Sequence, residues 1–284
     1  MRCDSHVHVV GEVARYPQAS NRLYTADAAP LAALQRLGAG RGITRFILVQ
    51  PSFYRADNTL LLEDLAILRG RGRGVAVIEA NRVSPALLAE LATGWVRGLR
   101  INHYSPPGGV APPPLSRVFA PLAEIARAQA WHIELIAPLP ALLAASDAIG
   151  NATVPVVIDH YGLPSGTAPD SGTGKALLDL MARPHIWTKL SAPYRSAVNP
   201  LETKPDPVWL AAILSRAAER CIWGSDWPHT PPPELQSGNA IPLAYRALRY
   251  EDVVDDFLCA LPANLAERIM IRNPAALYGF TVGA

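Results

Sequence analysis

The sequence predicts an eight-stranded parallel barrel of alternating strands and helices, a (β/α)8 or TIM barrel, formed as one domain by residues 1–284. The main indication is that eight short apolar runs rich in β-branched residues recur along the chain, with helical or loop segments between them. The length of 284 residues slightly exceeds the ~250 residues typical of such a barrel. Half of the residues are hydrophobic and 18% are charged, which excludes a disordered chain.

Eight strands are predicted, and helical or loop segments connect them. They comprise residues 2–9, 45–50, 74–80, 96–102, 131–137, 154–160, 185–191 and 221–227. Residues 30–37 and 118–126 have helical spacing, and Gly38 and Gly40 provide a stop for the first helix. Strands joined by such crossovers must be parallel. An open doubly wound sheet is the alternative, but its first turn normally holds a glycine-rich phosphate loop, where this chain has His6 and His8.

Charge and cysteine content restrict the partners and the compartment. The net charge of +2 comes from scattered arginines, so no nucleic-acid partner is expected. The chain has three cysteines, Cys3, Cys221 and Cys259, and their spacing matches no metal site. An odd number of cysteines is typical of reduced thiols, which predicts a cytoplasmic protein. No apolar run approaches the ~20 residues of a membrane span, so no membrane partner is expected either. The expected partner is a small molecule, and the sequence leaves the oligomeric state open.

The strongest local motif is His6-Val7-His8 at the end of the first predicted strand. Side chains two residues apart on a strand share a face, so both imidazoles should point into the mouth of the barrel. Two converging imidazoles suit the binding of a divalent metal or the polarisation of a carbonyl group.

Two further strand ends add polar groups to the same rim. Asp226 ends the eighth strand, which neighbours the first in a closed barrel, so its carboxylate can reach the same water as the histidines and act as a general base. His160 ends the sixth strand and supplies a third imidazole. By strand alternation we expect Asp159 to point to the outer face.

Several motifs together resemble the amidohydrolase-2 family, and within it the branch of pyrone-dicarboxylate lactonases. They are Asp4–His8, Val49–Asn58, Arg97–Asn102, Val157–His160, Trp187–Ser191 and Trp223–His229. The resemblance implies hydrolytic opening of a lactone, with Asp226 activating water and His6, His8 and His160 steering the carbonyl group.

The resemblance also implies side chains that hold substrate carboxylates. Arg100 and Arg195 are the best placed, because a guanidinium group matches a carboxylate in a bidentate pair. The weaker candidates are Ser52, Tyr54, His103, Tyr161 and Lys189. Lys189 fits equally well as a buried lysine paired with a carboxylate. Leu163 stands where the lactonase pattern has an arginine, so the expected substrate is a lactone with one carboxylate or a sugar-acid lactone.

The metal content has two possible states. Binuclear amidohydrolases bridge two cations with a lysine or glutamate on the fourth strand, where this chain has Arg100 to Asn102. A binuclear site is therefore not expected. The family's metal-binding histidine lies near the tip of the fifth strand, whereas His132 is close to its start, and lactones need less electrophilic help than amides. We therefore expect no metal cofactor. The alternative is one Zn²⁺ or Mn²⁺ held by His6, His8, His160 and Asp226. Glu134, deeper on the fifth strand, is expected to support a histidine.

Two other functions share parts of this pattern. A metal-dependent decarboxylase of the aminocarboxymuconate semialdehyde type also carries paired histidines and a terminal aspartate. A barrel that only binds a ligand is the other alternative, but it leaves the convergence of a general base with imidazoles unexplained.

Overall fold

A computed structural model describes residues 1–105, 111–231 and 242–281. The eight predicted strands are present, all parallel and paired in chain order. They are β1 (Arg2–Val7), β2 (Ile43–Val49), β3 (Gly72–Ala76), β4 (Val96–Asn102), β5 (His132–Ile136), β6 (Val156–Ile158), β7 (Ile186–Ser191) and β8 (Cys221–Gly224). The fold is a (β/α)8 barrel, as the sequence predicts.

The barrel closes between its first and last strands, just above the end of β8. His6 and His8 exchange backbone hydrogen bonds with that segment: His8 N donates to Trp227 O at 2.8 Å, and Asp226 N donates to His6 O at 2.9 Å. Gly224 makes this approach possible, because a Cβ there would lie 2.7 Å from the backbone nitrogen of His6. The residues on either side of the seam are therefore held together by the backbone.

Helices cover the outside of the barrel. They are Leu31–Ala39, Thr59–Leu68, Pro85–Thr93, Leu115–Ala128, Leu139–Ala144, Ser146–Gly150, Gly172–Met181, Pro207–Ala217, Tyr250–Cys259, Ala263–Glu267 and Asn273–Tyr278, with a π-helical turn at Arg268–Arg272. The two helices expected near residues 30–37 and 118–126 are thus confirmed. Two short parallel strands, Thr25–Ala26 and Pro242–Leu243, join the segments that follow β1 and β8. No helix among the described residues has the length and apolar character needed to cross a membrane.

The core has an outer layer and an inner one. The outer layer packs strands against helices, whereas the inner one fills the lower barrel with small and β-branched side chains. Cys3 and Cys221 are buried thiols, and Cys259 is exposed. Buried polar side chains occupy the upper part of the barrel. The proline-rich segments 105–114 and 230–233, each of which follows a predicted strand and is expected to form a loop, lie partly outside the described residues.

Candidate active site

Asp226 lies at the centre of the polar upper part of the barrel. Its backbone has a φ of 60°, in the turn that leaves β8. Its Oδ2 accepts hydrogen bonds from Tyr194 Oη at 2.6 Å and from Arg195 Nε and Nη2 at 3.0 and 2.7 Å. Its Oδ1 has no hydrogen-bond partner within the described part of the chain. One carboxylate oxygen is therefore anchored and the other is left for chemistry.

Three imidazoles surround that second oxygen. The Nε2 atoms of His6, His8 and His160 lie 3.4, 3.6 and 3.9 Å from Asp226 Oδ1. Those of His6 and His160 are buried and make no hydrogen bond to any described residue. Buried polar atoms are normally paired, so several unpaired ones converging on one point mark a site for a ligand. The structure thus brings together the four residues for which the sequence predicts chemistry.

Asp4 connects the two strands that carry this site, and sequence reasoning gave it no role. Its Oδ1 accepts hydrogen bonds from Ser225 N at 2.9 Å and His6 N at 3.3 Å, while Tyr250 Oη donates to Oδ2 at 3.0 Å. Burial raises the pKa of Asp4 to about 6, although these hydrogen bonds lower it. The signal that could have revealed this role is the position of Asp4, a charged residue in the interior of a predicted strand.

A second polar cluster forms the floor beneath His6. The ammonium group of Lys189 donates a short hydrogen bond to Glu134 and lies 3.0 Å from His6 Nδ1. Asp159 Oδ1 lies 3.4 Å from the same Nδ1 and 3.5 Å from Lys189 Nζ. Glu134 Oε1 lies 3.5 Å from His6 Nδ1, beside the histidine that it was expected to support.

The expectation that Asp159 points outward is wrong. It followed from applying strand alternation to His160 as the inward-facing residue. Val157 belongs to the inner core layer, so Asp159, two residues later, also faces the interior. The chain then turns at His160, which has a φ of 50°. This turn directs His160 to the site even though strand alternation would place it outside.

Burial sets the charge state of the central groups. It lowers the pKa values of His6 and His160 well below 6.5, and nearby cations add to the effect. Burial alone would raise the pKa of Asp226, but Arg195 and the surrounding imidazoles outweigh it and hold that pKa well below 3.8. At neutral pH the site is therefore an ionised carboxylate among neutral imidazoles.

A recess leads from solvent to this centre. Its lining comes from the upper ends of the strands and from the loops that follow them: His8, Tyr24, Pro51, Ser52, Arg100, Asn102, Tyr104, Ser105, Ile136, Arg195 and Thr230. Arg100 Nη1 donates to Gln50 O at 2.5 Å, while its Nε is buried without a partner among the described residues. Of the predicted substrate-binding residues, Ser52, Arg100 and Arg195 line the recess. Tyr24, Tyr104 and Thr230 were missed because no motif marks their loops. Asn102 was missed although it ends both the fourth strand and the Arg97–Asn102 motif.

The other predicted substrate-binding residues lie elsewhere. Tyr54 accepts a hydrogen bond from Gly11 N at 3.1 Å, and the ring of His103 pairs with Pro113 O at 2.9 Å. Tyr161 is buried in the outer core layer. Lys189 is fully buried under His6, in agreement with the alternative that pairs it with a carboxylate.

Among the described residues, two groups of side chains could hold a divalent metal ion. His6, His8 and Asp226 form one, and His6, Asp159 and His160 form the other, with the ligand atoms of each within 4.8 Å of one another. Imidazole nitrogens with a carboxylate oxygen are suitable ligands for Zn²⁺ or Mn²⁺. Both groups depend on His6, so the state of that imidazole decides whether either one is complete.

Two lactone hydrolases are similar to this chain over nearly its full length. The chain is 29% identical to a 4-sulfomuconolactone hydrolase of Hydrogenophaga intermedia, over 97% of this chain and 88% of that protein. It is 28% identical to a 2-pyrone-4,6-dicarboxylate hydrolase of Comamonas testosteroni, over 97% and 89% of the two chains. These relatives favour lactone hydrolysis over the decarboxylase alternative.

A solved structure shares the whole architecture. A putative 2-pyrone-4,6-dicarboxylic acid hydrolase from Pseudomonas putida superposes with a TM-score of 0.82 and 31% identity, covering 99% of this chain and 98% of the other. The amidohydrolase family model matches residues 3–280. The chain therefore belongs to the amidohydrolase family.

Proposed function

We propose that this amidohydrolase opens the ring of a carboxylated or sugar-acid lactone by adding water that Asp226 activates. One observation carries the proposal: Asp226 presents a single unpaired oxygen to three imidazoles at the inner end of a recess lined by two arginines. The names of the two relatives and of the solved structure support the same reaction class.

Asp226 and His8 are suited to bind the attacking water. His8 Nδ1 donates to Val49 O at 2.7 Å, because a carbonyl oxygen can only accept, so its Nε2 carries a lone pair. That lone pair and Asp226 Oδ1 are two acceptors 3.6 Å apart. A water bound beside both can donate one proton to each, which directs an oxygen lone pair at the lactone carbonyl carbon.

Atoms and charge balance in the ring-opening step. The water oxygen bonds to the carbonyl carbon while Asp226 takes its proton, and the bond from that carbon to the ring oxygen breaks. The ring oxygen recovers the proton from Asp226, which leaves a carboxylic acid and a hydroxyl group. Because its low pKa makes Asp226 a weak base, the carbonyl oxygen must be stabilised by donors nearby.

Arg100 is suited to bind an anionic substituent of the substrate. It lines the recess, and its Nε is an unsatisfied buried donor. Arg195 also lines the recess, but two of its nitrogens donate to Asp226 and one of these also donates to Thr230. We assign Arg195 mainly to holding Asp226, and its contact with a substrate carboxylate stays a prediction.

The proposed partner is thus a small anionic lactone. The two arginines outnumber the single ionised carboxylate at the recess, which favours an anion. The three unpaired thiols support the cytoplasmic location predicted from the sequence.

The test is ring opening of a panel of lactones by the parent protein and by Asp226→Asn. The substitution keeps the size of the side chain but removes the base, so we expect kcat to fall by about 10²-fold or more with a small change in KM. Release of CO₂ from aromatic carboxylates, measured in parallel, would favour the decarboxylase. Full turnover by the variant would exclude Asp226 as the base.

A further inference from the structure

Lys189 lies directly beneath His6 and outside the reach of substrate. It is fully buried, and its ammonium group contacts Glu134, Asp159 and His6. The ammonium group lies beside two acidic side chains and has three donors and no acceptor. Lys189 can therefore act on the reaction only through these neighbours.

The contact with His6 fixes where the imidazole carries its proton. The Nδ1 atom lies 3.0 Å from Lys189 Nζ, and an ammonium group cannot accept a hydrogen bond, so Nδ1 must accept. A neutral imidazole with an accepting Nδ1 is protonated at Nε2. The carboxylate oxygens near Nδ1 are farther away and make no hydrogen bond within the described residues. His8 has the opposite tautomer, because its Nδ1 donates to Val49 O.

We infer that Lys189 is a positioning residue: it holds His6 as a hydrogen-bond donor that stabilises the lactone carbonyl oxygen, in place of a divalent metal ion. A metal-binding histidine offers one nitrogen lone pair to the ion and donates its other N–H to an acceptor. His6 has a cation where that acceptor would be. In this tautomer Nε2 of His6 has no lone pair for the group with His8 and Asp226. The Nδ1 lone pair, which is the one nearer Asp159 of the other group, is occupied by the hydrogen bond from Lys189. The catalytic part of this inference rests on the proposed lactone hydrolysis, whereas the tautomer does not.

The tautomers can be measured without any substrate. In protein labelled with ¹⁵N-histidine, NMR distinguishes protonated from unprotonated ring nitrogens, and His6→Gln and His8→Gln variants assign the signals. We expect the proton of His6 on Nε2 and that of His8 on Nδ1. A proton on Nδ1 of His6 would overturn the inference even if the protein hydrolyses lactones.

Lys189→Met removes the donor and keeps the length of the side chain. We expect kcat to fall about 10- to 100-fold with little change in KM, and affinity for added Zn²⁺ to rise by about tenfold or more, because Nδ1 of His6 can then donate to Asp159. The double variant Lys189→Met with Glu134→Gln restores the charge balance in case the single variant does not fold. Lys175→Met, on an exposed helical position, is the matched control.

Metal analysis completes the test. The parent protein, purified without added metal, should contain no stoichiometric Zn²⁺ or Mn²⁺ and should keep its activity in chelator. Stoichiometric metal whose removal abolishes activity, or unchanged Zn²⁺ affinity in both Lys189 variants, would contradict the inference.

Discussion

Arg100 shows how one interior side chain can determine substrate choice. It is 7% exposed and presents an unpaired donor to the recess. Loss of a charge-assisted contact costs about 1.5–3 kcal/mol. Arg100→Gln should therefore raise KM for a carboxylated lactone by about 10- to 100-fold and leave KM for a neutral lactone nearly unchanged.

The control for this comparison is Arg97→Gln. Arg97 lies on the same strand, but its guanidinium donates to Val96 O and Ala92 O away from the recess. Equal increases in KM for charged and neutral lactones would argue against a carboxylate contact at Arg100.

Arg55 has a backbone conformation that normally requires glycine. Its φ of 52° and ψ of −128° are strained for a residue with a Cβ. Arg55→Gly should raise the free energy of unfolding by about 1 kcal/mol, because released strain exceeds the added entropy of the unfolded chain. Urea unfolding measures the free energy of unfolding of this variant and of Arg55→Ala, which serves as the control because alanine keeps the strain. A glycine variant no more stable than the alanine variant would show that the strain is negligible.

At the residue scale, the sequence predicted what strand alternation determines and little more. His6 and His8 follow from a two-residue spacing at a strand end, and Asp226 from the adjacency of the first and last strands. Asp159 was misplaced because the backbone turns at His160, which alternation cannot foresee. Tyr54 and His103 lie outside the recess because motif spacing does not determine where a loop side chain points.

At the scale of the elements, the number and order of strands were predictable but their ends were not. The sixth strand was expected over residues 154–160 and comprises only Val156–Ile158. The eighth ends at Gly224, before the predicted end at 227. In both cases residues with positive φ follow within a few positions and stop the regular pairing, and apolar composition alone does not indicate such turns.

The helix Thr59–Leu68 carries a buried acid that should make its stability depend on pH. Burial raises the pKa of Asp64 from 3.8 to about 6, and Glu63 adds to the effect. The unfolded chain therefore loses this proton at a lower pH than the folded one, so stability falls as pH rises from 3.8 to about 6. Asp64→Asn should remove this loss of stability, which is on the order of 3 kcal/mol.

Urea unfolding at pH values below and above this window measures the effect. The variant should gain stability relative to the parent at the higher pH. Glu63→Gln is the control. The hydrogen bond from Tyr16 lowers the pKa of Glu63, so this substitution should change the pH dependence of stability in the opposite direction. An equal difference between Asp64→Asn and the parent at both pH values would contradict the prediction.

At the scale of the whole molecule, the C-terminal segment seals the end of the barrel opposite the recess. Phe280 packs between the guanidinium groups of Arg73 and Arg45, 4.3 and 5.0 Å from the ring centroid. Arg45 also donates to Thr281 O at 2.6 Å, and Arg73 to Tyr278 O at 3.1 Å. Both arginines are near the start of their strands, far from the catalytic rim, and no sequence motif indicated this seal.

Phe280→Ala should lower the free energy of unfolding by about 2–4 kcal/mol, because a buried ring and its cation contacts are lost. The kcat/KM of the folded fraction should not change, since the seal and the active site lie at opposite ends. Denaturant unfolding and activity, measured on the same samples, test both statements. A loss of kcat/KM in fully folded protein would mean that the two ends are coupled.

The central claim, that the barrel adds water to a lactone with Asp226 as the base, is tested most directly by ring opening in ¹⁸O-labelled water followed by mass spectrometry. The account predicts one ¹⁸O atom in the new carboxyl group of each product molecule, formed by the parent protein and at least about 10²-fold more slowly by Asp226→Asn. Product without label, or label formed equally fast by the variant, would contradict it.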